Sequence, residues 1–201
     1  MSSLALAIVA LLGSLVVVLA LRSRADRARL LLLSQAMQDA AGTDWLTGLC
    51  NRHALTEQLA RATAYARRHG DPVSVMMIDL DAFTETNDLH GREAGDAVLR
   101  AVSHCMRAEL RGDDVCGRWG GDEFLIIMPA IDELAVRIAA ERLREAAANL
   151  EVAEVGAGVQ LSIGTATGVH TSADALEGAA GLDLRQAKAA KRAARASALV
   201  A

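Results

Sequence analysis

The sequence has few aromatic residues, prolines or cysteines. Of its 201 residues, 2% are aromatic, and it has two prolines and three cysteines. Because 52% of the residues are apolar, the chain can still bury a core, which must be built from aliphatic side chains and alanine. The length suits one globular domain and a short additional segment.

The cysteines are too few and too scattered for a disulfide framework. Cys50, Cys105 and Cys116 contain no C-x-x-C pair, and three isolated thiols favour a reducing compartment. We expect Cys105, which lies in an amphipathic pattern, to pack as a small hydrophobic residue.

Excess charge of one sign is also absent. The net charge is −4 and the isoelectric point is about 5.7. Proteins that bind nucleic acids by neutralising phosphates carry a basic surface instead. The composition therefore gives no indication of a nucleic-acid partner.

The N-terminal segment predicts a membrane anchor. Residues 4–21 form an uncharged run of roughly 18 residues, just long enough to cross a bilayer as a helix. Four arginines follow it: Arg22, Arg24, Arg27 and Arg29. The positive-inside rule then places the rest of the chain in the cytoplasm, on a single-pass protein of the inner membrane. A cleaved signal peptide fits less well, because no basic residue precedes the run and arginines occupy the expected cleavage region.

Four segments are therefore predicted along the chain. Residues 1–22 are the transmembrane anchor, 23–42 a juxtamembrane helical linker, 43–195 a globular domain and 196–201 a tail. The linker is either a plain connector or a helical stalk that forms a dimer. Its apolar positions do not repeat over enough heptads to decide between the two.

Alternating short apolar runs and longer amphipathic stretches predict a mixed α and β domain. Strands are predicted over Val73–Leu80, Val115–Arg118, Phe124–Met128 and Gln160–Ala166. Helices are predicted over Asn51–His69, Asp96–Leu110, Glu133–Leu150 and Leu182–Arg195, the last one basic. The second and third strands enclose Gly120–Glu123, which is typical of a hairpin with a glycine turn.

Two acidic pairs lie at the ends of predicted strands. Asp79 and Asp81 end a strongly apolar strand, and Asp122 and Glu123 lie in the hairpin turn. Such positions are poor for packing and suitable for Mg²⁺, which prefers oxygen ligands and substrate phosphates. Each pair alone would be an ordinary solvated loop end. Both pairs together, with a Gly-Gly turn and a basic helix, favour a phosphate-handling metal site.

An ordered series of motifs resembles the GGDEF-domain diguanylate cyclases. Gly120–Phe124 is the GGDEF signature itself. The other motifs, at family spacing, are Asp44-x-Leu46-Thr47-Gly48-Leu49-x-Asn51-Arg52, Asp79-x-Asp81-x-Phe83-x-x-x-Asn87-Asp88, Gly95-Asp96 and Ser162-Ile163-Gly164.

The resemblance implies an α+β, palm-like nucleotidyl cyclase fold, with a central, mostly antiparallel sheet flanked by helices. It also implies the roles of the site residues. The metal ligands are Asp79, Asp122 and the backbone carbonyl of Leu80, and Glu123 assists the metal and the attacking hydroxyl. Guanine is bound by Asn87 and Asp96, the β- and γ-phosphates by Lys188 and Arg192, and Gly120 and Gly121 let the backbone approach the nucleotide.

The implied reaction joins two GTP molecules into cyclic di-GMP and two pyrophosphates. Two Mg²⁺ ions per site, or Mn²⁺, activate the ribose 3′-hydroxyl for in-line attack on the α-phosphate. Each site holds one GTP, so the resemblance implies a homodimer. It also implies an inhibitory site for cyclic di-GMP at Arg111 and Asp114, with Arg142 as a second basic contact.

The sequence departs from the family pattern at several positions. Thr84 replaces a usual lysine, Arg92 a usual histidine and Lys191 a usual glycine, and the last helix carries Gly181–Arg185 in place of its usual segment. The metal and turn positions are intact, which favours an active cyclase. The alternatives are a catalytically silent GGDEF module that binds GTP or cyclic di-GMP, and a membrane-tethered structural domain.

Overall fold

The computed structural model describes Arg22 and residues 42–198. The chain divides into two units, 1–41 and 42–201, and the fold below is that of the second. Apart from Arg22, the predicted anchor lies outside the described residues, as do residues 23–41 of the predicted linker and 199–201 of the predicted tail. Across Arg22 and 42–198, no helix is both long and apolar enough to cross a bilayer.

A four-stranded antiparallel sheet forms the centre of the domain. Its strands are β1 (Val73–Leu80), β2 (Val115–Gly120), β3 (Glu123–Pro129) and β6 (Leu161–Gly168), in the order β2-β3-β1-β6. A small separate hairpin consists of β4 (Glu151–Val152) and β5 (Gly156–Ala157). The predicted α+β class and the predicted hairpin are confirmed.

Helices cover both faces of this sheet. They are α1 (Arg52–His69), α2 (Phe83–His90), α3 (Arg92–Glu109), α4 (Glu133–Ala148) and α5 (Ala173–Ala198). Asn51 caps α1, since its side chain accepts a hydrogen bond from the Ala54 backbone. Gly70 ends that helix in the left-handed conformation.

The alternation of side chains along β1 divides the core into two layers. Met76, Ile78 and Leu80 pack with apolar residues of α3 and α4 on one face. Val75 and Met77 pack with residues of α1 and α5 on the other. Every residue of β1 is buried, because helices cover both faces. Odd-numbered positions of β1 therefore face α5, and this places Asp79 near the last helix.

Several element boundaries differ from the prediction. Helix α2 was not predicted, α3 begins at Arg92 instead of Asp96, and α5 begins at Ala173 instead of Leu182. Strand β6 continues to Gly168. Helix α4 ends at Ala148, and Leu150, which was predicted inside it, packs against the core from beyond the helix.

All three cysteines are free. Cys105 packs against the core at partial burial, in keeping with the prediction that it is a packing residue. Burial raises the pKa of the Cys116 thiol to about 11, so this thiol stays protonated at neutral pH.

Candidate functional site

The register of the sheet places the acidic residues together. In the antiparallel pairing, Asp79 lies opposite Glu123 on one side and opposite Ser162 on the other. The backbone N–H of Leu80 donates to the carbonyl of Asp122 at 3.3 Å. The end of β1 and the hairpin turn are distant in sequence but thus lie together at one end of the central strands, as the metal-site prediction requires. This end of the strands, with Asp79, Asp122 and Glu123, is called the acidic edge.

The turn between β2 and β3 consists of Gly121 and Asp122. Gly120 is the last residue of β2, and Glu123, which was predicted in the turn, is the first residue of β3. Gly121 has φ of +56°, a conformation that favours glycine. A Cβ atom at Gly120 would meet no protein atom within 4 Å, so packing inside the domain does not require a glycine there. Open space above Gly120 is consistent with the predicted approach of a nucleotide.

The Arg118 side chain stabilises this turn. Its Nε donates to the carbonyl of Gly121 at 2.8 Å, and its Nη1 lies 3.4 Å from both carboxylate oxygens of Asp44. Asp44 also accepts hydrogen bonds from the backbone and hydroxyl of Thr47. Asp44 belongs to a sequence motif that predicts no role for it. Its role in this structure is to orient the arginine that supports the turn.

Asp79 is the more buried of the two carboxylates predicted to bind metal. Its side chain is 8% exposed and forms an ion pair with Lys188 of α5. Burial raises the pKa of Asp79, and Lys188 counteracts that rise. Burial, followed by the charges of Asp79 and Asp122, also raises the pKa of Glu123. Three carboxylates therefore lie together at a partly buried edge, where a bound cation would lower their repulsion.

The donors at this edge suit a hard divalent cation. Asp79, Asp122 and the Leu80 carbonyl supply only oxygen, which Mg²⁺ and Mn²⁺ accept, and substrate phosphates commonly complete such sites. Among Arg22 and residues 42–198, no three His, Cys, Asp or Glu side chains are arranged to hold a metal ion by themselves.

Asp81 differs from Asp79 because the protein itself satisfies both of its oxygens. Oδ1 accepts from the Ser162 hydroxyl at 2.6 Å, and Oδ2 accepts from Lys191 Nζ at 2.7 Å. Lys191 donates to the Leu161 carbonyl as well, at 2.7 Å. Lys191, a departure from the family pattern, therefore ties α5 to the ends of β1 and β6.

A cavity of about 300 Å³ opens beside these carboxylates. Lys188 and Arg192, the predicted phosphate ligands, both line it. Thr84, at a position where the family usually has a lysine, lines it as well. Arg195, which belongs to no sequence motif described above, is also part of the lining, whereas Arg185 is not.

The two residues predicted to bind guanine lie on neighbouring helices. Asn87 is in the last turn of α2, and Asp96 is in the second turn of α3. Gly95 lies directly beneath the Asn87 amide, because a Cβ atom there would be 2.0 Å from Asn87 Oδ1. Both side chains are half-buried, so their polar groups remain available to a ligand.

The predicted inhibitory residues lie at the other end of the hairpin. The Arg111 backbone N–H donates to Asp114 Oδ2 at 3.0 Å, which closes a turn before β2. At 3.3 Å per residue, β2 separates this turn from Gly120 by roughly 20 Å. Arg142 is on α4 and forms an ion pair with Glu109 of α3 at 2.7 Å.

An antiparallel α+β domain with a Gly-Gly acidic turn beside a strand-end aspartate defines the class of GGDEF domains. Comparison with known sequences agrees, since the profile described as diguanylate cyclase, GGDEF domain, matches residues 41–194. The chain belongs to the GGDEF domain family.

Individual relatives support this assignment. The diguanylate cyclase DosC of Escherichia coli is 40% identical over 113 residues, which are 56% of this chain and 25% of DosC. This chain thus spans about a quarter of that relative. The GGDEF domain of DgcB from Caulobacter crescentus, solved with c-di-GMP, superimposes with a TM-score of 0.71 at 29% identity, over 75% of this chain and 91% of that one.

A second solved structure covers more of the chain. The diguanylate cyclase SiaD of Pseudomonas aeruginosa, in complex with its activator SiaC, matches with a TM-score of 0.72 and 31% identity. The match covers 94% of this chain and 73% of SiaD.

Proposed function

We propose that this protein is a diguanylate cyclase that condenses two GTP molecules into cyclic di-GMP and releases two pyrophosphates. The observation that carries the proposal is the pairing of β1 with β3. It places Asp79 opposite Glu123, next to Asp122, at the mouth of a cavity lined by Lys188 and Arg192.

Asp79, Asp122 and the Leu80 carbonyl hold divalent metal, most simply two Mg²⁺ ions. When bound, the metal would lower the pKa of the ribose 3′-hydroxyl and stabilise charge on the α-phosphate. Glu123, whose pKa burial raises, would accept the proton of the attacking hydroxyl.

Lys188 and Arg192 bind the β- and γ-phosphates. Lys188 already contacts Asp79, so it reaches the edge at which the phosphates and the carboxylates must meet. A lysine there offsets the negative charge of the leaving pyrophosphate.

Asn87 and Asp96 select guanine. A carboxylate accepts from the N1–H and N2–H donors of guanine, and adenine presents no matching pair of donors. The Asn87 amide, held over Gly95, supplies a further hydrogen bond to the base.

The reaction requires a homodimer, because each domain binds one GTP and the two nucleotides must face each other. Anchoring both chains in one membrane would raise their effective concentration.

The first prediction tests the metal ligands. The full chain, given GTP and Mg²⁺, should produce cyclic di-GMP that chromatography detects. Asp79→Asn and Asp122→Asn keep the shape of the side chain but remove its charge, so we expect turnover to fall at least a hundredfold. Asp174→Asn, which removes an exposed carboxylate of α5, is the matched control and should retain full activity.

The outcomes separate two functions. Substantial turnover by folded Asp79→Asn would contradict the metal assignment. Wild-type protein that binds GTP without forming product would favour the alternative of a catalytically silent GGDEF binding module. One observation favours this alternative: because Thr84 replaces a lysine, α2 contributes no cation to the cavity.

We also propose that residues 1–22 anchor the protein in the inner membrane with its catalytic domain in the cytoplasm. The support is the uncharged run 4–21 followed by arginines. The second prediction is that a reporter fused after Ala201 behaves as cytoplasmic. A reporter active only outside the cytoplasm would overturn the orientation and the cyclase proposal together, because GTP is intracellular.

A further inference from the structure

Helix α5 presents a row of four cations to the cavity beside the acidic edge. Lys188, Lys191, Arg192 and Arg195 all line it. Their spacing of three and four residues places them on one side of a helix with 3.6 residues per turn. The row extends about 10 Å along the helix axis, from Lys188 to Arg195.

The two lysines and the two arginines of this row are engaged differently. Lys188 pairs with Asp79, and Lys191 pairs with Asp81. Within the described part of the chain, Arg192 and Arg195 form no ion pair or side-chain hydrogen bond, and both are exposed. The lysines neutralise the protein's own carboxylates, whereas the arginines are available to an added anion.

The hydrogen bonds of Lys191 fix the position of this part of the helix. Its ammonium group holds both the Asp81 carboxylate and the Leu161 carbonyl at 2.7 Å. Arg195 is one helical turn further on, so its Cα is held against the cavity. This restraint lowers the entropy that Arg195 must lose when it binds a ligand.

Helix α2 adds no cation to the lining of this cavity. Helix α2 contributes Phe83, Thr84 and Glu85 to the lining of the cavity. Arg195 also lines a neighbouring cavity of about 280 Å³, whose lining includes Phe83 and Glu85 but not Asp79 or Asp122. That second cavity shares Leu80 and Asp81 with the first. Arg195 is the cation of the row furthest along α5 from Lys188, which pairs with Asp79.

We propose that Arg195 is a further substrate-binding residue that contacts the terminal phosphate of the nucleotide. The triphosphate would extend from the acidic edge along α5, so that Lys188, Arg192 and Arg195 meet it in that order. The planar guanidinium of Arg195 can donate two parallel hydrogen bonds to one phosphate. The inference rests on the proposed nucleotide site and adds a residue to it.

The experiment compares nucleotides that differ in phosphate number. Calorimetry with the full chain and Mg²⁺ measures the affinity for 3′-deoxy-GTP, which cannot condense, and for GDP and GMP. Arg195→Ala should weaken 3′-deoxy-GTP binding at least tenfold, weaken GDP binding less and leave GMP binding unchanged. Arg195→Lys should recover part of the lost affinity, because lysine keeps the positive charge but lacks the two parallel N–H donors of the guanidinium.

Arg185→Ala is the matched control, because it removes an equal charge from the same helix outside the cavity. It should bind all three nucleotides like the wild type. The inference would be overturned if Arg195→Ala lowered the affinity for all three nucleotides equally, or if it left the affinity for 3′-deoxy-GTP unchanged.

Turnover of GTP, measured in parallel, separates this inference from the proposed function. If the wild type forms no cyclic di-GMP but the Arg195→Ala variant binds 3′-deoxy-GTP more weakly than the wild type, the cyclase proposal is refuted and the inference is supported. Wild-type protein that makes product, with Arg195→Ala binding 3′-deoxy-GTP normally, would refute the inference alone. Wild-type protein that binds no nucleotide would refute both.

Discussion

Gly95 is the point at which α2 and α3 come closest beneath the proposed guanine site. A Cβ atom there would lie 2.0 Å from Asn87 Oδ1 and 3.2 Å from the Phe83 ring. The nearest atom belongs to a side chain, which can move. A Cβ atom at position 95 would therefore displace the Asn87 amide and not the helix backbone.

The third prediction follows from this contact. Gly95→Ala should displace the Asn87 amide and lower the preference for GTP over ATP about tenfold, measured as the ratio of the two kcat/KM values. The fold should remain intact, because alanine is favoured over glycine by about 1 kcal/mol inside a helix.

Gly178→Ala is the control for this substitution. It replaces another helical glycine, in α5, where a Cβ atom would meet nothing within 4 Å. It should leave the GTP preference unchanged. If Gly95→Ala discriminates between GTP and ATP as well as the wild type does, the base is bound elsewhere.

At the residue scale, the sequence predicted the site residues better than their partners. The motifs located Asp79, Asp122 and Lys188, and the structure brings these three together. The pairs Lys191–Asp81 and Arg118–Asp44 were not predicted, because their members are 110 and 74 residues apart in the chain. Only the packing of α5 and of the loop before α1 makes these pairs possible.

The contact between α5 and β6 determines where the row of cations lies. A Cβ atom on Gly164 would be 2.1 Å from the Leu184 backbone nitrogen and 2.3 Å from the Ala180 carbonyl oxygen. The helix backbone therefore rests directly on the strand backbone. Asp183 strengthens this contact by accepting a hydrogen bond from the Thr165 backbone at 2.7 Å.

The fourth prediction concerns this contact. Gly164→Ala cannot be accommodated by moving a side chain, so α5 must shift away from the sheet. We expect a loss of about 2 kcal/mol or more in the free energy of unfolding, because overpacked cores typically lose 1–3 kcal/mol. Thermal unfolding should show a fall in Tm of several degrees.

Gly181→Ala provides the comparison, because Gly181 lies on α5, the helix that Gly164 contacts. A Cβ atom there has ordinary van der Waals contact with Arg185, at 3.6 Å. Higher helix propensity should make this variant equal to or more stable than the wild type. Equal stability of Gly164→Ala and the wild type would mean that the close approach of α5 to β6 is not required.

Helix and strand boundaries show what local pattern could and could not predict. Strand β1 was predicted correctly because it is mostly apolar and has Asp79 and Asp81 at its end. Helix α2 has no buried residue, so it lacks the apolar periodicity that indicates a helix. The first turns of α5 contain several glycines and alanines, which hide its start, and β4 and β5 are only two residues long.

For the whole molecule, the relevant feature is the separation of the two ends of the β2–β3 hairpin. One end carries the acidic turn, and the other carries Arg111 and Asp114, roughly 20 Å away. A product molecule bound at the second end would leave the cavity beside Asp79 open. Inhibition there would be non-competitive, acting through the alignment of the two domains of a dimer.

The fifth prediction tests this arrangement. Arg111→Ala should raise the cyclic di-GMP concentration needed for half-inhibition at least tenfold and leave the initial rate little changed. Progress curves of the wild type should flatten early, and those of the variant should not. Arg111→Lys should behave like the alanine variant, because lysine lacks the planar fork that pairs with phosphate and stacks on guanine.

Arg100→Ala removes an equal charge from the exposed side of α3 and should be inhibited like the wild type. Identical slowing of the wild type and Arg111→Ala as product accumulates would show that this turn does not bind cyclic di-GMP.

The loop before α1 also determines where this domain can be joined to other proteins. Its hydrogen bonds run from Asn51 N–H to the Gly42 carbonyl and from Asp44 N–H to the Leu49 carbonyl. A chimaera in which a foreign segment ends before Gly42 would retain the loop and the Asp44–Arg118 pair. A junction placed after Thr47 would join the same helices and strands but leave Arg118 without its carboxylate. The useful boundary for domain exchange is therefore set by a loop, ten residues before the first helix of the described fold begins.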